Sequence, residues 1–177
     1  MLRPVVTPSR DLFNLDGVWR FAVDYDAQGL EQEWWRRPLP GTAEAAVPSS
    51  YNDLFPDESV RDHVGDVWYQ RKLVVSPRWA GRRIVLRFDS ATHSGEAWWN
   101  ETKVVDHAGG YTPFEADVSE VASVGEVARL TVRVNNELSL GTIPPGVIET
   151  VDGRRRQRYF HDFFNFSGLL RDLGRTF

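Results

Sequence analysis

"VARLTVRV", from Val127 to Val134, alternates without interruption. Ala128, Leu130, Val132 and Val134 fall on one face, and Arg129, Thr131 and Arg133 on the other. A period of two residues is that of a half-buried strand. Neighbouring stretches repeat it. "RRIVLRF" sends Ile84, Leu86 and Phe88 inward and Val85 and Arg87 outward. "DVWYQRKLVV" aligns Val67, Tyr69, Leu73 and Val75, with Arg71 on the same face. "GVWRFAVD", Gly17 to Asp24, sets Trp19, Phe21 and Val23 against Val18, Arg20 and Ala22.

Turn chemistry separates these runs at short intervals. Val151-Asp152-Gly153 lies between "GVIET" and "RRRQRYF", and Asp-Gly between extended runs is a strong hairpin signal. Asn100-Glu101 after Trp98-Trp99 reads as a tighter hairpin, and "AGGYTP" and "TIPPG" read as loops. Helical periodicity is weak. Gln28–Arg37 predicts a short helical turn ended by Pro38 and Pro40, and Ser119–Gly125 predicts another. Many short strands without a helix long enough to cross a parallel sheet predict an all-β, antiparallel sandwich. No repeat or linker divides residues 1–177, so one domain is expected.

The composition supports a folded chain: 41% hydrophobic residues, 12% aromatic and seven Trp among 177 residues. A net charge of −4 gives no footing for nucleic acid or an anionic membrane surface. No apolar run approaches the ~20 residues of a spanning helix. "MLRPVVTPSRDLFNLDG" has no continuous apolar core, unlike a secretory signal, and Cys is absent. A reducing, cytoplasmic setting is the expectation. His63, His93, His107 and His161 show no metal-ligand spacing, and no phosphate-binding glycine loop or nucleophile elbow occurs. Neither metal nor cofactor is expected.

Three features remain. The cluster Arg154, Arg155, Arg156 and Arg158 reads either as an anion-attracting patch or as a solvated strand face. Trp34-Trp35 and Trp98-Trp99 read as core, with one member of each pair free to act as a sugar platform. "RRQRYFHDFFNFSG", Arg155 to Gly168, sets His161 and Asp162 among Tyr159, Phe160, Phe163, Phe164 and Phe166. Aromatic rings at this density should bury themselves, whereas a carboxylate resists burial unless paired. Asp162 is then either a structural acceptor of backbone N–H groups or a group held at the surface to meet a ligand.

The phrases "VWYQRKLVV", "WAGRRIVLRFDSATHSGEAWWN", "HAGGYTPFEADVS", "VRVNNELSLGTIPPG" and "YFHDFFNFSGLLRD" resemble the N-terminal domain of bacterial β-glucuronidases, in glycoside hydrolase family 2. "MLRPVVTPSRDLFNLDGVWRF" and "VPSSYND" fit the same pattern, so the resemblance runs from Met1 to about Asp172. It implies a jelly-roll sandwich of the galactose-binding-like type. It also implies retaining hydrolysis of β-D-glucuronides by the parent enzyme, whose two catalytic glutamates lie in a (β/α)₈ barrel beyond an immunoglobulin-like domain.

This chain ends at Phe177, and no phrase in it matches a catalytic motif. No catalytic residue is therefore expected in it. The loop matching "FHDFFN" leans over the barrel mouth in that family, which makes Asp162 a contact to sugar hydroxyls and His161 its brace. The implied partners are a glucuronide or other carbohydrate, the remaining domains of the parent enzyme and a second copy of the chain. A stand-alone carbohydrate-binding module is the alternative, and a purely structural or oligomer-forming domain the third reading. "LGRTF" lacks alternation where the family has a closing strand. The expectation is a missing strand, an unpaired sheet edge and a loop that has lost its C-terminal anchor.

Overall fold

The computed structural model describes residues 4–41, 43–171 and 173–176. In chain order its strands are β1 (Leu12–Asn14), β2 (Gly17–Val23), β3 (Glu44–Val47), β4 (Ser49–Ser50), β5 (Asp66–Val74), β6 (Val85–Phe88) and β7 (Ser94–Trp99). There follow β8 (Thr102–Ala108), β9 (Phe114–Asp117), β10 (Val127–Asn135), β11 (Gly146–Val151), β12 (Arg154–Tyr159), β13 (Gly168–Leu169) and β14 (Leu173–Thr176). Two four-residue helices, α1 (Tyr51–Leu54) and α2 (Glu58–Arg61), lie between β4 and β5.

Strands β3-β2-β5-β10-β7-β8 form one sheet and β1-β14-β6-β9 a second. The ribbon β11-β12 and the short pair β13-β4 lie outside them. The strand over Val127–Asn135 is central, with Val132 opposite Tyr69 on one side and Ala97 on the other. Its alternation is satisfied because Ala128, Leu130, Val132 and Val134 all enter the core, as do Trp19, Phe21, Val67 and Tyr69. The smaller sheet answers with Leu86, Phe88 and Phe114, and the rings of Phe88 and Phe114 stack at 4.9 Å. Burying each such side chain stabilises the fold by about 1.5–3 kcal/mol. The result is the antiparallel jelly-roll sandwich of the galactose-binding-like class.

Arg71, the misfit on the apolar face of β5, sits at the sandwich end. Its Nη1 donates to the carbonyls of Leu15 (2.7 Å) and Asp16 (2.9 Å). The outer face of the large sheet is covered as well. A 3₁₀ turn, Trp34–Arg36, crosses it within the predicted Gln28–Arg37 segment, so Trp34, Trp68 and Trp98 form a second apolar cluster. Trp35 stacks on Trp98 at 4.8 Å, and Trp68 Nε1 donates to Asp24 Oδ2 at 3.2 Å. Both Trp98 and Trp99 are consequently buried.

Val85 and Arg87 lie opposite Ile84, Leu86 and Phe88, as the alternation predicts, yet they are buried; Arg87 stays charged there by pairing with Asp89 (2.6 Å) and Glu115 (2.7 Å). Two expectations are corrected. Ser119–Gly125 is a turn, in which the N–H groups of Val121 and Ala122 both reach the Val118 carbonyl. So short a segment does not nucleate a helix. The closing strand is present: Leu173–Thr176 pairs with β1 on one side and β6 on the other. Backbone ladders on both edges define it without any alternation in its sequence.

Candidate functional site: the aromatic loop between β12 and β13

The loop over residues 160–167 connects a projecting ribbon to the sandwich rim. The ribbon turns at Asp152 (φ 50°) and Gly153 (φ 75°), two left-handed residues in succession, as a two-residue hairpin of the I′ kind requires. β12 then carries Arg154, Arg155, Arg156 and Arg158 on an open strand.

The far end of the loop is locked. Ser167 is fully buried; its N–H donates to Asn52 Oδ1 (2.8 Å), and its carbonyl accepts from the Tyr51 N–H (3.3 Å). Gly168 pairs with Ser50, and its carbonyl accepts from the Thr92 N–H at 3.1 Å. Only glycine fits there: φ is 123°, and an added Cβ would stand 2.8 Å from Tyr69 Oη. Hence the loop has a C-terminal anchor, contrary to the expectation drawn from "LGRTF".

Asn52, the acceptor for Ser167, belongs to a buried polar network. Its side chain also donates to the Arg61 carbonyl (2.5 Å), so α1 is tied to the end of α2. Asn136, just beyond β10, donates to Tyr51 Oη (2.6 Å) and the His63 carbonyl (2.8 Å), and accepts from the Gly65 N–H (2.8 Å). Burial pushes the Tyr51 phenol well above its usual range, so it stays a neutral member of the network.

The tip behaves differently. Phe160, Phe163, Phe164 and Phe166 are between 42% and 53% exposed, so the density of rings does not bury them against the sandwich. They pack on one another instead: Phe164 lies 4.8 Å from Phe166 and 6.1 Å from Tyr159, and His161 lies 4.1 Å from Phe163 and 5.0 Å from Tyr159. Arg158 stands over the Phe160 ring at 5.5 Å and reaches Glu149 at 3.1 Å. Both ring nitrogens of His161 lack a hydrogen-bond partner. Asp162 is exposed and makes no hydrogen bond or ion pair with the described residues.

Chemically, the loop offers one carboxylate with its lone pairs free, set among mutually packed rings on a rigid root. Two neighbouring hydroxyls can donate to such a group at once. A lone carboxylate cannot serve as both acid/base and nucleophile of a glycosidase, which need two groups roughly 5–5.5 Å apart. Asn52, Asn136, Ser167 and Gly168, which hold the loop, escaped the sequence reading. Their only local signal is Ser50 capping α1 two residues before Asn52.

Fold and loop together define a β-sandwich domain with one projecting aromatic loop. The model of "Glycosyl hydrolases family 2, sugar binding domain" matches residues 12–175, and the chain belongs to that family. It is 46% identical to a β-glucuronidase of Paenibacillus borealis over 98% of its own length and 30% of the relative's. Human β-glucuronidase is 38% identical over the same shares of the two chains. A Ruminococcus gnavus β-glucuronidase solved in complex with D-glucuronic acid superposes with a TM-score of 0.94 at 36% identity, covering 99% of this chain and 31% of that one. An uncultured Clostridium β-glucuronidase gives 0.91 at 43% identity. The chain thus spans about 30% of the length of the relatives it matches and corresponds to their N-terminal, non-catalytic domain.

Proposed function

We propose that this domain serves a β-glucuronidase by presenting the 160–167 loop to the glucuronide while catalysis is carried out elsewhere in the enzyme. Asp162 accepts hydrogen bonds from the sugar hydroxyls and fixes the ring's orientation. His161, wedged between Tyr159 and Phe163, braces it. The half-exposed Phe rings pack against the remaining domains, and that contact completes the burial that the sandwich leaves unfinished. Association of two copies belongs to the same reading, as does a cytoplasmic setting, where a chain without cysteine needs no oxidant.

The observation that carries this reading is the contrast within the loop: a buried, fully hydrogen-bonded end at Ser167 and an unpartnered carboxylate at Asp162. The purified 177-residue chain is expected to release no p-nitrophenol from p-nitrophenyl β-D-glucuronide. Turnover that co-purifies with it through successive columns would overturn the non-catalytic assignment.

A further inference from the structure

The β11-β12 ribbon stands beside α2, and the space between them forms a groove of two compartments. The outer one, about 690 Å³, is bounded by Asp24 and Tyr25, by α2 and by Arg154–Arg156. The inner one, about 280 Å³, reaches Tyr159, Phe164 and Asn165 beneath the aromatic loop. Asp62, His63, Val64 and Arg156 line both, so the compartments meet there. Together they have the size of a small-ligand site.

The groove's charges are unequally used. Asp24 accepts from the Gln28 and Gly29 N–H groups (2.8 Å each), and Asp57 from that of Ser59 (2.8 Å). Asp62 is held by Arg61 (2.9 Å), Asp66 by Arg133 (2.9 Å) and Glu137 by Arg155 (2.7 Å). The side chains of Arg154 and Arg156, by contrast, make no hydrogen bond or ion pair with the described residues, and Arg156 only feels the charge of Asp62 at longer range. Two guanidiniums with unused donors beside carboxylates already engaged elsewhere are a place for one added anionic group.

Two further groups point to a polar, ring-shaped ligand. Asn165 is 2% exposed, lines the inner compartment, and its Nδ2 has no hydrogen-bond partner. A buried donor left unmade is costly, and a ligand hydroxyl in the inner compartment is a partner for it. At the mouth of the outer compartment the Tyr25 ring is 59% exposed, braced edge-on against His63 at 5.5 Å and tethered through its hydroxyl to Ser59 (3.2 Å). A fixed, exposed ring beside hydrogen-bonding groups suits the apolar face of a sugar.

We propose that this groove is a second carbohydrate site, which takes an acidic sugar unit with its carboxylate on Arg154 and Arg156 and its ring on Tyr25. The choice of ligand rests on the glucuronidase reading; the residues are separate from Asp162. Carboxylates outnumber arginines around the groove, so a polyanion is repelled where a hydroxyl-rich monoanion is accepted. The site favours glycan substrates over small aryl glucuronides, because only a glycan supplies a further sugar to fill it.

Titration calorimetry of the 177-residue chain with a tetrasaccharide of one glucuronate and three neutral N-acetylhexosamine units tests this. Saturable binding is expected, weakened about tenfold by Arg156→Ala and by Tyr25→Ala, and unchanged by Arg82→Ala, a residue outside both the groove and the loop. A neutral glucose tetrasaccharide should bind at least about tenfold more weakly. All three side chains are exposed, so the variants keep the fold. Failure to saturate, equal competition by inorganic phosphate, or indifference to Arg156→Ala would each refute the groove site. Loss of binding with Asp162→Asn alone would also refute it, while leaving the loop reading intact.

Discussion

Two clusters of aromatic rings lie on the outside of this sandwich, and they have opposite fates. Trp34, Trp68 and Trp98, joined by the half-buried Trp35, sit on the outer face of the large sheet, where Trp68 is 0% and Trp98 4% exposed. Phe160, Phe163, Phe164 and Phe166 sit on the 160–167 loop and stay open. Both clusters are rich in ring–ring contacts. What separates them is cover: the Trp rings lie under the 34–36 turn, with Trp68 hydrogen-bonded to Asp24. The Phe rings surround a carboxylate with no partner. Aromatic density therefore marks a site only where the chain provides no lid of its own.

That contrast can be broken by substitution, and the largest effect belongs to the covered cluster. Trp68→Ala should destabilise the chain by about 3–5 kcal/mol, read as a lowered urea midpoint. A loss near that of Phe163→Ser would erase the distinction. Gly168→Ala, at the loop's root, should cost about 1–3 kcal/mol, because it strains a left-handed residue and drives a methyl toward Tyr69.

A smaller effect compares two exposed carboxylates. Arg83 first, then the Ser119 hydroxyl and N–H, hold the Asp117 carboxyl down at about 2 from 3.8. A folded-state pKa below the unfolded one stabilises above the unfolded value, and the gain is lost as pH falls from about 4 toward 2. Asp117 is 45% exposed on its side chain, so screening keeps this below about 1 kcal/mol. Asp117→Asn should accordingly lower the urea midpoint slightly at pH 7 and hardly at all at pH 2. Asp162→Asn, which removes no contact of the fold, should leave the pH 7 midpoint where it is. Phe163→Ser should likewise stay within about 0.5 kcal/mol.

The strands at 17–23, 66–74, 85–88 and 127–135 were legible because each shows its inward face in period two. Burial of both members of Trp98-Trp99 was not. Alternation puts one ring outward, and the turn that covers it comes from residues 34–36, far away in sequence. The strand at 173–176 was illegible for a related reason: its pairing on both edges lies in other segments. Helices α1 and α2 are one turn each, too short for a 3.6-residue period to emerge. In the loop, Asp162 and its rings stood out from composition alone. Its root did not, since Asn52 meets Ser167 across 115 residues.

The central claim is that the covered aromatics build the fold and the open ones carry a carboxylate for substrate. It is tested most directly by kcat/KM for p-nitrophenyl β-D-glucuronide in a β-glucuronidase containing this chain, with Asp162 intact and as Asp162→Asn. The loss of charged hydrogen bonds to substrate predicts a fall of about 10- to 100-fold with an unchanged urea midpoint. A value within about twofold of the parent would show that the loop meets no sugar, and the account of Asp162 would be wrong.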